Sequence, residues 1–203
     1  MKNTLVLILL LLTAHSGYSQ NRLADSLENA IRTGAAKDTN LVNALNRLSI
    51  NFWYKDTDKA YDYTKRALDE ANRLNFKRGM AVSNNLMGVV FDIKSEFDSA
   101  LFYYNKSVIY SRETGYLKIL ASAYNNIGMV HKNRGNYSLA IRAYLDALRI
   151  FEKQNIEKEI GNTYNNLGLV YYDMKQYNTA LDFHQKSLAI REKIKDKYGV
   201  GAS

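Results

Sequence analysis

The side chains of this sequence that could act together chemically are asparagine amides that return at a fixed interval. Asn85, Asn125 and Asn165 are spaced forty residues apart, and Asn46 stands at an equivalent place, one residue out of step. Each amide offers two N–H donors and a carbonyl acceptor. A row of such groups would hydrogen-bond the main chain of an extended peptide without selecting its sequence. In the alternative interpretation, one asparagine of each Asn-Asn pair satisfies backbone groups between neighbouring elements.

Other reactive residue types are scarce. The chain has no cysteine, which excludes disulfides, thiolate metal sites and a cysteine nucleophile. Outside the N-terminal leader, the histidines are His131 and His184, and we interpret both as core residues because an aromatic residue stands forty residues before each of them. Asp92 and Asp173 are single carboxylates and not a spaced acid pair. The sequence has no phosphate-binding loop, serine elbow or zinc pattern, so we expect no enzyme activity, no cofactor and no metal.

Residues 1–19 have the layout of a secretory signal peptide. Lys2 supplies the positive start, an apolar stretch runs from Leu5 to Leu12, and small residues allow cleavage after Ser19. An uncleaved anchor is the alternative, but the apolar run ends near Ala14, short of the about 20 residues that span a bilayer. We therefore expect export to a periplasm or the cell exterior, with no membrane insertion after cleavage.

The positive charge is dispersed along the chain. The formal net charge is +8. Lysines and arginines are spread along the whole chain rather than gathered in one run. This pattern favours solvated helix faces over a nucleic-acid site.

A period of forty residues defines the elements that must position these side chains. Tyr124-Asn125-Asn126-Ile127-Gly128 returns as Tyr164-Asn165-Asn166-Leu167-Gly168. A fixed period in this range indicates stacked repeats. Within each unit, apolar residues recur at helical spacing in two blocks, which predicts a helical hairpin. Asn75, Gly115 and Asn155 stand between units, and residues of these types tolerate the left-handed conformation that ends helices.

These units resemble tetratricopeptide repeats. Counted from Ala81, Ala121 and Gly161 as first positions, the small and aromatic residues of that family fall at matching places: Gly88, Gly128 and Gly168 at eight; Phe91, His131 and Tyr171 at eleven; Phe97, Tyr137 and Tyr177 at seventeen; Ala100, Ala140 and Ala180 at twenty; Tyr104, Tyr144 and His184 at twenty-four. We expect small residues at eight and twenty because the two helices cross there. The unit is longer than the usual about 34 residues and resembles the long-helix repeats of kinesin light chains and bacterial signalling proteins.

The resemblance implies an all-α fold, a right-handed superhelical solenoid of antiparallel helical hairpins. It also implies that the first helices line a concave groove, into which positions two, five, nine, twelve and thirteen point. The groove residues predicted in this way are Asn46, Asn85, Asn125, Asn165, Met129, Lys132, Leu169 and Tyr172. Trp53 and Tyr54 are expected to fill the gap against a capping helix, with a ligand platform as the alternative.

The predicted organisation has seven parts: signal peptide 1–19, capping helix 20–37, divergent first repeat 38–77, second repeat 78–117, third repeat 118–157, fourth repeat 158–197, and the start of a truncated fifth repeat at 198–203. The predicted function is that of a non-catalytic scaffold that binds a peptide or protein segment. The alternative is the sensory ectodomain of a larger bacterial signalling protein, a histidine kinase or transcriptional regulator. Coding sequence beyond Ser203 for a spanning helix and a kinase or DNA-binding domain would favour the alternative.

Overall fold

The computed structural model describes residues 22–196, and every regular element in that range is an α-helix. The predicted leader and the predicted start of a fifth repeat lie outside the described residues. Residues 22–32 form α1. The remaining helices are α2 Asp38–Phe52, α3 Thr57–Arg73, α4 Lys77–Ile93, α5 Phe97–Thr114, α6 Leu117–Asn133, α7 Tyr137–Lys153, α8 Glu157–Asp173 and α9 Tyr177–Lys193. Over 22–196, no helix has the length and apolar character needed to cross a membrane.

The chain divides into two compact units, Met1–Gly79 and Met80–Ser203. In the described part of the first, α2 and α3 pair through fully buried Leu48, Ala60 and Ala67. Helix α1 is tied to this pair because Glu28 accepts a 2.6 Å hydrogen bond from the Tyr63 hydroxyl. Glu28 also forms a 2.9 Å ion pair with Lys59. The hydroxyl and the ammonium group together lower the pKa of the Glu28 carboxyl.

The second unit holds three helical hairpins, α4–α5, α6–α7 and α8–α9. One core cluster of buried residues runs from Ala100 and Tyr104 on α5 to Val130 on α6. Another joins Phe151 on α7 to Leu167 on α8. Each hairpin therefore buries an apolar face against the next, which is how repeats of this size become stable. The predicted all-α class of antiparallel hairpins is confirmed.

Left-handed residues end the helices. Asn75, Gly115 and Asn155 have φ of 49°, 66° and 52°, as predicted. The residue after each donates its N–H to a carbonyl five residues back, as in the 2.9 Å bond from Tyr116 to Ser111. This geometry satisfies carbonyls that the helix end leaves unpaired. Ser95 also adopts positive φ, 60°, although its residue type gave no such signal.

The glycines at position eight make room for a ring rather than for a crossing backbone. A β-carbon on Gly128 would lie 2.8 Å from ring carbons of Tyr144, and one on Gly88 would lie 2.5 Å from the Tyr104 ring. The expectation that a small residue lets the two helix backbones approach was therefore wrong at position eight, where the second helix contributes a ring. The first hairpin solves the same problem with short side chains, since Ser49 and Thr64 share a buried 2.6 Å hydrogen bond at the equivalent places.

Candidate functional site

The first helices of the third and fourth hairpins present matching surfaces. Asn125, Met129 and Lys132 lie on one face of α6, at spacings of four and three residues. Asn165, Leu169 and Tyr172 repeat this arrangement on α8. We call these six residues the first-helix surface. Its apolar members are open to solvent, with exposed fractions of 37% for Met129, 39% for Leu169 and 60% for Tyr172.

The predicted asparagine row is tied together by its own side chains. Asn126 donates from Nδ2 to Oδ1 of Asn85 over 3.3 Å, and Asn166 donates in the same way to Asn125 over 3.2 Å. The second asparagine of the pairs on α6 and α8 thus bonds to the amide of the preceding hairpin. In the pair on α4, Asn84 donates from Nδ2 to the backbone carbonyl of Met80 over 2.7 Å, as the alternative interpretation proposed. The side-chain oxygens of Asn85 and Asn125 therefore help to hold neighbouring hairpins in register.

The last amide of the row has a different partner. Oδ1 of Asn165 lies 3.0 Å from Nδ1 of His184 on α9, a hydrogen bond in which the Nδ1–H tautomer donates. Burial, and then the charge of Arg191, lower the pKa of His184. The neutral ring that this favours is compatible with a single Nδ1–H donor.

Once their oxygens are engaged, Asn125 and Asn165 have Nδ2 left for a ligand. Both residues are half-buried. An Nδ2 group only donates hydrogen bonds, so this surface suits carbonyl or carboxylate oxygens. Asn85 is only 9% exposed, and Asn46, on α2 of the first unit, is only 4% exposed. Burial therefore places both of these predicted residues out of easy reach of a ligand.

Lys132 is the one charged residue among the six of the first-helix surface, and it forms an ion pair. Lys132 on α6 lies 3.3 Å from a carboxylate oxygen of Asp173 on α8, and both side chains keep partial contact with solvent. Asp92 occupies the place of Lys132 on α4, where burial raises the pKa of its carboxyl. The ion pair links neighbouring hairpins and leaves little net charge for a strongly charged ligand.

Two predicted residues of the first unit line a cleft instead of filling a gap. Trp53 and Tyr54 surround an open space of about 490 Å³ together with Leu23 of α1 and Ile50 of α2. Their rings lie 5.6 Å apart in an edge-to-face arrangement. The expectation that both would fill the gap against the capping helix was wrong for Tyr54, which projects largely into solvent, whereas Trp53 is half-buried.

Comparisons with known proteins identify the repeats. Residues 119–193 match the tetratricopeptide repeat family model. No curated protein matches the chain by sequence. Among solved structures, BtubC (BKLC) from P. vanneervenii is 24% identical, with a TM-score of 0.72 over 86% of this chain and 72% of that one. Aspartyl phosphate phosphatase F from Bacillus subtilis is 18% identical, with a TM-score of 0.74 over 81% of this chain and 43% of that one.

A Rap protein complexed with competence and sporulation factor has a TM-score of 0.79 at 16% identity, over 90% of this chain and 53% of that one. The chain thus spans about half the length of the phosphatase and the Rap protein. At these identities the likeness shows the fold. The match over residues 119–193 and the shared fold confirm the resemblance to tetratricopeptide repeats and the helical-repeat fold class predicted from the period of forty.

Proposed function

We propose that this chain is a non-catalytic scaffold that binds an extended peptide or protein segment along the first-helix surface. The observation that carries the proposal is the pairing, on α6 and again on α8, of an amide donor with exposed apolar side chains. Asn125 lies beside Met129, and Asn165 lies beside Leu169 and Tyr172. Amide groups that donate to main-chain carbonyls, next to apolar contacts for side chains, are a usual means of holding a peptide.

The spacing of the hairpins suits an extended chain. Packed helices lie about 8–10 Å apart, and an extended peptide rises about 3.3 Å per residue. Amides on neighbouring first helices would therefore meet carbonyls about three residues apart. One hydrogen bond, from Asn166, holds the side chain of Asn125, and another, with His184, holds that of Asn165. Both donors are therefore oriented before the ligand arrives, which reduces the entropy lost on binding.

The comparisons support this proposal at the level of the fold. The Rap protein is itself complexed with competence and sporulation factor, so a fold of this kind can accommodate a bound factor. The name of the Bacillus phosphatase raises catalysis as a competing idea. In this chain the first-helix surface offers amides, apolar groups and one ion pair, and these groups serve recognition rather than bond cleavage.

The test is selection of linear peptides from a displayed random library on the purified protein, followed by matched substitutions. Leu169→Asp on α8 should weaken the selected peptides by at least tenfold, because it places a charge among the apolar contacts. Leu145→Asp on α7 is the control, since Leu145 is 43% exposed and Leu169 is 39% exposed. Equal losses in the two variants, or no selectable peptide, would refute the proposal.

A second substitution isolates the amide donors. Asn125→Ala would remove the acceptor of Asn166 as well, at a cost of about 1 kcal/mol in stability. Asn125→Asp keeps that acceptor oxygen and replaces only the Nδ2 donor. We expect Asn125→Asp to reduce peptide affinity while the hydrogen bond between hairpins survives. Unchanged affinity would remove the amides from the binding site.

We also propose that the chain is exported. The positive start at Lys2, the apolar stretch from Leu5 to Leu12 and the small residues before residue 20 support a cleaved leader. Expression of the full sequence in a bacterium should yield a shortened protein outside the cytoplasm whose N-terminal sequence begins at Gln20. A cytoplasmic product that starts at Met1 would contradict export.

A further inference from the structure

An aromatic pair recurs where the first helix of a hairpin meets the second, at positions eleven and twenty-three of the repeat. The rings are nearly parallel in the second and fourth hairpins and tilted in the first. The centroid distance and interplanar angle are 5.3 Å and 7° for Phe91 and Tyr103, and 5.3 Å and 8° for Tyr171 and Phe183. For Phe52 and Tyr63 they are 5.9 Å and 30°. Such offset stacks add stability beyond the area that they bury. This position of the hairpin is therefore shaped to hold two rings.

The third hairpin lacks one of these rings. Its two positions are occupied by His131 and Ala143. A cleft of about 180 Å³ is present there, bordered by both of these residues and by Tyr124, Ile127 and Asp146. The cleft lies where the second ring of the pair, Tyr103 or Phe183, stands in the neighbouring hairpins.

The neighbours of the missing ring are retained. In the fourth hairpin, Phe183 lies between Tyr171 and Tyr164, with ring centroids 5.3 Å and 6.1 Å away. His131 and Tyr124 stand at the equivalent places in the third hairpin. A ring inserted beside Ala143 would therefore find an aromatic surface on two sides.

The polar surroundings of the cleft differ from those of its counterparts. In the fourth hairpin, Lys186 lies over the Phe183 ring, 5.2 Å from its centroid. The equivalent residue of the third hairpin is Asp146, which forms a 3.8 Å ion pair with Arg149 and borders the cleft together with Arg142. A carboxylate accepts hydrogen bonds, whereas an ammonium donates them. The cleft therefore favours a ring that carries a hydrogen-bond donor.

His131 provides a suitable stacking surface. Its Nδ1 is buried and has no hydrogen-bond partner among residues 22–196. Burial, and then the charge of Arg134, lower the pKa of this imidazole. The ring is thus neutral near pH 7 and stacks without the cost of burying a charge.

We propose that the cleft beside Ala143 is a binding site for one phenol ring, which stacks on His131 next to Tyr124 and donates its hydroxyl hydrogen to Asp146. The ring comes either from a tyrosine side chain of a partner segment or from a free small phenol. This site lies at the junction of α5, α6 and α7 and is separate from the first-helix surface.

The test is titration of the purified protein with p-cresol, the analogue of the tyrosine side chain, followed by NMR of the side chains of Ile127 and Ala143. We expect saturable shifts at these residues and at least threefold weaker binding of toluene, which lacks the hydroxyl group. Asp146→Ala should abolish this preference for p-cresol. The absence of saturable shifts, or shifts that Ala143→Phe leaves unchanged, would overturn the proposal.

Two variants separate occupancy of the cleft from misfolding. Ala143→Phe supplies the missing ring, so it should raise the melting temperature and abolish p-cresol binding. Phe183→Ala should open an equivalent cleft in the fourth hairpin and create a second site for toluene. Retained p-cresol binding in Ala143→Phe, or no new site in Phe183→Ala, would contradict the assignment of the cleft to a missing ring.

The source of the ring is decided by comparing p-cresol with N-acetyltyrosinamide. Equal or tighter binding of the amide shows that the cleft admits a tyrosine within a peptide chain. Binding of p-cresol alone assigns the site to a free phenol. Failure of both to bind overturns the proposal and leaves peptide binding on the first-helix surface unaffected.

Discussion

Replacing Gly128 with alanine tests whether an enclosed ring keeps position eight of the repeat small. The new β-carbon would lie 2.8 Å from two ring carbons of Tyr144, well inside the optimal separation of about 3.5–4.0 Å. Tyr144 is 1% exposed and cannot swing into solvent. Overpacking costs about 1–3 kcal/mol, and alanine recovers about 1 kcal/mol of helix propensity. We expect the free energy of unfolding to fall by about 1 kcal/mol.

Gly168→Ala is the matched control. Its β-carbon would also lie 2.8 Å from a ring, that of His184. This ring is only half-buried and can give way, so the propensity gain should nearly cancel the clash. The assay is urea unfolding followed by far-UV circular dichroism. In a Tyr144→Thr background, which imitates the first hairpin, Gly128→Ala should become stabilising by about 1 kcal/mol. A Gly128→Ala protein as stable as the unmodified protein, or a penalty that persists without the ring, would refute the reasoning.

Three further predictions concern polar contacts. Tyr63→Phe removes the hydrogen bond to Glu28 and should cost about 1 kcal/mol, measured by urea unfolding; no loss would mean that α1 is held by other contacts. The lowered pKa values of His131 and His184 mean that the unfolded chain binds protons more readily, so stability should fall as the pH drops below the usual histidine pKa of 6.5. Thermal melts at pH 7.5 and 5.5 check the sign, and a higher melting temperature at pH 5.5 would contradict it. Lys132→Ala should cost at most about 1 kcal/mol because its ion pair is partly exposed, and a larger loss in urea unfolding would show that this pair is a main clamp between hairpins.

The ends of several helices were predictable from the sequence because a single residue type there indicates a left-handed conformation. Asn75, Gly115 and Asn155 are of the types that tolerate positive φ, and all three adopt it. Ser95 and Lys175 adopt it too, but there the end geometry of the helix imposes the conformation on a residue that does not favour it. The sequence therefore predicts a left-handed end only where the residue type is permissive.

The partners of side chains were harder to predict because they depend on the register between hairpins. The spacing of Asn126 and Asn166 is visible in the sequence, but their choice of the preceding hairpin's amide needs the positions of two helices. Predicting the cleft beside Ala143 likewise required the relative positions of two helices. Once Tyr171 is known to stack on Phe183, the missing ring in the third hairpin follows from the period alone.

The most direct test of the account is methyl NMR of the protein with its tightest selected peptide, because it reports which helices touch the ligand. We predict shifts at the methyl groups of Met129 on α6 and Leu169 on α8. Leu139 and Leu145 on α7 should stay unchanged, although both are exposed. Shifts confined to the α7 leucines would contradict binding along the first helices.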